Sequence, residues 1–179
     1  FVCSNLAASM AQTEKKVILI DLDIRKGTLS SHIHHHDKGM TSYLSGSADL
    51  SEIIKHDELV DNLDIIPAGP AAPNPAELLL SERLETMIET LRKQYDYIIV
   101  DNVPVGIIAD AAITNRIADL TIFVIRADRF DRRMLPDLEK IYRTGQLKNM
   151  SIILNGAHVN NNGYGYGYGY GYGYGYENK

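Results

Sequence analysis

Tryptophan is absent from this 179-residue chain, phenylalanine occurs three times and cysteine once. A lone Cys3 excludes an internal disulfide framework, so the fold must rest on an apolar core, and one free thiol suits a reducing compartment. A basic excess is also lacking. The formal charge is −5, which leaves no electrostatic footprint for nucleic acid. No apolar run approaches the roughly 18 residues that span a bilayer, so the chain is not expected to cross a membrane by itself. No basic-then-apolar leader opens it. What is present is a hydrophobic share of 45%, typical of one globular domain with a real core.

Five short apolar runs carry the pattern: "VILID" (17–21), "LDIIPAG" (63–69), "YIIVD" (97–101), "TIFVIRA" (121–127) and "SIILN" (151–155). Each is almost continuously apolar, as strands buried on both faces of a parallel sheet are. Helical patterns separate them. "NLAASMAQ" precedes the first, and "NPAELLLSERLETMIETLRKQ" lies between the second and third. Asn74 as N-cap, Pro75 at N1 and Glu77 at N3 mark the start of that helix and predict a capping box. "IADAAITNRIA" and "RRMLPDLEKIYRTG" supply two more, with Pro136 in the first turn of the latter or kinking it. Alternating strands and helices predict an α/β fold: an open, mainly parallel sheet with helices on both faces in three layers, Rossmann-like. Ligands then belong at the carboxyl ends of the strands. After Asn155 aliphatic residues nearly vanish, so residues 1–155 are expected to form the domain and 156–179 a disordered, tyrosine-rich tail.

Two strand ends carry carboxylates. "ILIDLDIRKG" offers Asp21 and Asp23, one residue apart and so on one side of an extended strand. "YIIVDNVPVG" offers Asp101. Such an oxygen-rich group suits Mg²⁺, which takes one or two carboxylates together with waters and substrate phosphates. A turn-capping role is the alternative for each aspartate taken alone. "HIHHHD" (32–37) invites a metal reading, but a local histidine run in a loop lacks the geometry of a structural zinc site. "RADRFDRR" (126–133) reads as a solvated helix entry, its arginines interleaved with Asp128 and Asp131. Cys3 reads as a small buried helix residue.

These motifs together resemble the bacterial tyrosine kinases of capsular and exopolysaccharide assembly, a deviant P-loop ATPase family that includes partition and division-site ATPases. "VILIDLDIRKG" is similar to their Walker A′ motif, an apolar strand ending D-x-D-x-R. "YDYIIVDNVPVG" resembles their Walker B, with Asn102-Val103-Pro104 where the family usually has T-P-P. "IIPAGPAAPNPAELLLS", "FVIRADR" and "IILNG" fit the later segments. The resemblance runs from residue 1 to about 156. It implies a P-loop NTPase fold using ATP and Mg²⁺, with Asp21 and Asp23 as the catalytic pair. Asp21 is favoured as the base that accepts the phenol proton, although the spacing leaves Asp23 open. Asp23 and Asp101 would hold Mg²⁺ through water. Arg25 would meet phosphate or a neighbouring subunit, and Asn155 would read the adenine. A solvated Arg25 and a turn-forming Asn155 remain the plain alternatives.

In the family a C-terminal tyrosine cluster is autophosphorylated. Here Tyr164, Tyr166, Tyr168, Tyr170, Tyr172, Tyr174 and Tyr176 would be the acceptors. The resemblance further implies a trans-phosphorylating homo-oligomeric ring, a membrane polysaccharide co-polymerase fused upstream or separate, a tyrosine phosphatase, and a cytoplasmic location at the inner face of the cell membrane. No G-K-[ST] occurs in the chain. The family's P-loop is therefore expected upstream of Phe1, and residues 1–179 alone are not expected to bind ATP usefully. Two other functions fit the same body: a partition-type ATPase switch with a sticky tail, and a non-catalytic assembly partner of a polysaccharide exporter.

Overall fold

The computed structural model describes residues 1–25, 29, 37–102, 113 and 115–157. His32 to His36, the Val103–Pro104 pair and the tail tyrosines lie outside the described residues. A four-stranded sheet is built from β1 (Val17–Asp21), β2 (Lys55–His56), β3 (Leu63–Ile66) and β4 (Tyr97–Asp101), in the order β2-β3-β1-β4. β1 runs parallel to β3 and to β4, while β2 pairs antiparallel with β3. A second, two-stranded parallel sheet joins β5 (Thr121–Arg126) to β6 (Met150–Asn155).

β1 is buried at every position, as its unbroken apolar run predicts. One face packs against α1 (Val2–Ala11): Ala7 and Ala11 meet Val17, Leu19, Leu63 and Ile65. The other face, with Ile18 and Ile20, packs against α5 (Glu82–Leu91). Leu84, Met87, Ile88 and Leu91 fall at helical spacing and are all buried there. Each stabilises the fold by about 2 kcal/mol through burial. Ile113 and Ile117 join the same core, and ion pairs Arg92–Asp119 and Arg116–Glu85, both 2.6 Å, hold α5 to this segment.

The long helix expected over 74–94 is broken. α4 (Pro75–Leu80) ends at Ser81, whose ψ of 150° is extended and whose hydroxyl donates to the Leu78 carbonyl at 2.7 Å. A serine that bonds its own backbone competes with the helical ladder. The predicted capping box at Asn74 is also replaced. The Asn74 amide donates to Glu77 at 2.6 Å, side chain to side chain. α2 (Met40–Leu44) and α3 (Leu50–Ile53) fill the connection from β1 to β2. α6 (Leu135–Arg143) follows a 3-10 turn over Arg132–Met134, with Pro136 in its first turn as its missing N–H requires. β5 and β6 depart from the reading of fully buried strands. Ile122, Val124, Ile152 and Leu154 are exposed.

The carboxyl end of the main sheet is pinned by glycine. Gly39 lies so close to the turn after β3 that a Cβ there would sit 2.3 Å from the Pro67 carbonyl and 2.4 Å from the Gly69 nitrogen. Gly69 has φ +81°, which only glycine adopts without strain. The Met40 and Thr41 amides donate to the Pro67 and Ala68 carbonyls at 2.8 and 3.0 Å, closing the junction.

Candidate functional site

Three elements meet beyond the carboxyl ends of β1 and β4. The parallel register places Asp21 directly beside Asp101, so two carboxylates end adjacent strands. Asp21 is fully buried. Its Oδ1 accepts the Asp23 amide at 3.0 Å, which folds the chain into a turn as soon as β1 stops. The extended alternation predicted for Asp21 and Asp23 therefore ends at Asp21, and an Asx-type turn sets the pair instead. Asp23 is half-buried, and Arg25 is exposed in the turn that follows. The Leu22 amide donates to the Asp101 carbonyl at 2.8 Å, extending the β1–β4 ladder one residue past β1.

α1 brings the third element. Cys3 Sγ donates to Asp101 Oδ1 at 3.2 Å, across 98 positions of sequence. Burial, then the Asp101 charge, then this hydrogen bond push the Cys3 thiol up to about 12. It is thus a protonated donor at neutral pH, and it is partly buried in place of the small buried helix residue expected from the sequence. Its signal was spacing: Cys3 and Ala7 are four apart and share the α1 face that meets the sheet.

The donor set fits Mg²⁺ better than a softer ion. Among the described residues, no three His, Cys, Asp or Glu side chains converge as a protein cage. A cation held by one or two carboxylates, with waters and phosphates supplying the rest, needs none. A thiol is a weak donor, so Asp101 retains acceptor capacity for a metal-bound water. Asp101, beside Asp21 in register, and Asp23, two residues past Asp21, are residues that could hold it. Asn155 lies elsewhere, at the end of β6 in the second sheet, where its carbonyl accepts from the Ala127 amide at 2.9 Å. Asp131 ion-pairs with Arg133 at 2.6 Å, so part of the basic run is neutralised locally. No described helix is long and apolar enough to cross a membrane.

The architecture and the motifs have known counterparts. The AAA domain family profile matches residues 2–152. The tyrosine-protein kinase CpsD of Streptococcus pneumoniae serotype 4 is 37% identical over 163 residues, 89% of this chain and 71% of that protein. A second S. pneumoniae CpsD is 40% identical over 146 residues, 80% of this chain and 64% of that protein. Among solved structures, the kinase domain of the Escherichia coli tyrosine kinase ETK superposes with a TM-score of 0.78 at 31% identity, covering 95% of this chain and 67% of that one. With carboxylates ending adjacent parallel strands, this chain belongs to the AAA domain family and, within it, to the tyrosine-protein kinases.

Proposed function

We propose that this chain is the body of a protein-tyrosine kinase that phosphorylates its own C-terminal cluster, Tyr164 to Tyr176, and so regulates capsular or exopolysaccharide polymerisation and export. The observation that carries the reading is the register pairing of Asp21 with Asp101 at the carboxyl end of the sheet. Similarity to the CpsD kinases supports it. Residues 1–155 form the catalytic body and 156–179 the substrate tail.

Mg²⁺-ATP supplies the phosphoryl group and the positive charge that offsets its oxygens. The chain's own residues align and neutralise. Asp101, oriented by Cys3, and Asp23 would hold the metal ion through its waters. Asp21 or Asp23 would accept the proton that the acceptor phenol loses when it takes the phosphoryl group and ADP leaves. Burial distinguishes the two aspartates: Asp21 is fully buried and Asp23 half-buried, so Asp23 is the more accessible to an incoming phenol. Arg25 faces solvent where phosphate or a neighbouring subunit arrives, and Asn155 is assigned to adenine. The partners that follow are copies of the protein itself in trans, a membrane polysaccharide co-polymerase and a tyrosine phosphatase, at the inner face of the cell membrane.

The test uses the protein that carries this chain together with a phosphate-binding loop. Incubation with Mg²⁺-ATP and mapping of phosphate by mass spectrometry should find several of the seven tail tyrosines modified. Asp101→Asn should slow the reaction about 10–100-fold by loosening the outer shell of the metal. Phosphate absent from Tyr164–Tyr176 refutes the proposal.

A further inference from the structure

β6 is an edge that a soluble protein has reason to cover. Among the described residues its only strand partner is β5, so half of its peptide N–H and C=O groups face away from any ladder. It is also apolar on its outer surface: Ile152 is 53% and Leu154 58% exposed. These two and Met150 share one face of the strand. That face borders a groove of about 520 Å³ between β6 and α6, lined by Leu135, Leu138, Glu139, Tyr142, Met150 and Ile152. The volume lies in the range of pockets that enclose drug-sized ligands, room for more than one phenol ring.

We propose that this edge and groove are the docking site of the chain's own Gly-Tyr repeat, residues 164–176, added to β6 as an antiparallel strand. Three observations select this occupant. The first is period. Tyrosine recurs at every second residue, so an extended repeat puts all seven phenols on one face and only glycine on the other. The tyrosine face fits the groove, and the bare face needs no room. The second is continuity. The repeat follows β6 after a connection of only eight residues, 156–163, rich in glycine and asparagine, which suit a chain reversal. A tether this short holds the repeat near its edge at an effective concentration in the millimolar range. The third is register. A slip of one residue would turn every tyrosine outward, but a slip of two restores the same face. The repeat, at about 43 Å extended, is longer than six-residue β6 at about 20 Å, so several equivalent registers exist. Tyrosine favours a strand and glycine weakens one, so the added strand is reversible, as a segment that must also serve as substrate requires.

Docking needs neither nucleotide nor phosphorylation, so its test stands apart from the kinase reading. Amide exchange at Ser151–Asn155 is followed by mass spectrometry in the full chain and in a full-length variant with all seven tail tyrosines replaced by serine. The parent should exchange at least fivefold more slowly. Equal exchange overturns the proposal. A second variant, Ile152→Lys, changes an exposed side chain and should raise the nitration rate of the tail tyrosines several-fold, with the far-UV spectrum unchanged. An unchanged nitration rate also overturns it. Protection that grows with protein concentration, alongside doubled mass by light scattering, assigns the edge to a second copy and overturns docking within the chain.

Discussion

Asp101→Asn should bring Cys3 within reach of alkylating reagents. The thiolate, not the thiol, attacks iodoacetamide. In the unfolded chain the thiol titrates near 9.0, and in the fold it is pushed up to about 12. At pH 8 the thiolate fraction therefore falls about a thousandfold on folding, three pH units of protonation preference. Burial comes first among the causes, followed by the Asp101 charge and the 3.2 Å hydrogen bond to it. The substitution removes the charge and leaves burial, so labelling should accelerate by at least tenfold yet stay below the unfolded rate. Mass spectrometry of a labelling time course at pH 8 reads all three rates: native, variant and urea-unfolded. A native rate within tenfold of the unfolded one would refute the placement of Cys3 against Asp101. The sign extends to stability. A thiol whose folded pKa is raised contributes fully below about 9 and loses that contribution as pH climbs towards 12.

At the other end of the sheet the Tyr95 hydroxyl donates to Asp64 at 2.6 Å, and Asp64 also meets His56 at 3.0 Å. Tyr95→Phe should cost about 1–2 kcal/mol, lowering Tm by roughly 3–6 °C in a scanning melt. Burial, then the hydrogen bond to Asp64, raises the Tyr95 phenol above its ordinary value, so the contribution is complete below about pH 10 and lost above it. Stability curves of parent and variant that stay parallel above pH 10 would contradict this. Gly39→Ala should destabilise by about 3 kcal/mol or more, because a Cβ there meets backbone rather than a movable side chain. A urea midpoint equal to the parent's would show that the junction yields.

The motifs legible in the sequence were those in which local pattern and tertiary role coincide. The first four positions of "VILID" are all apolar because β1 has a neighbour on both edges and a helix layer on both faces. Its terminal aspartate was visible because a carboxylate after four aliphatics stands out from the run, although the structure keeps it as the last, fully buried residue of β1. The same reasoning overreached at β5 and β6, where equally apolar runs have exposed side chains. Residue type reports what a strand tolerates and not what covers it. β2 was missed because Lys55-His56 is polar and only two residues long, held by its antiparallel pairing to β3. The break at Ser81 left no periodicity signal, since Leu79 and Leu84 are buried on either side of it. The Cys3–Asp101 contact joins residues 98 apart, a distance over which neither motif nor propensity carries information.

The clasp between Gly39 and Gly69 has an evolutionary consequence. Each backbone occupies the space where the other's first side-chain carbon would sit: a Cβ on Gly69 would lie 2.9 Å from the Gly39 nitrogen and 2.7 Å from Thr41 Oγ1. Neither position can acquire a side chain while the other stays in place. The two are locked as a pair, so a lineage that alters one must first move a whole loop, and substitutions at either should be rare and arrive together with insertions or deletions nearby.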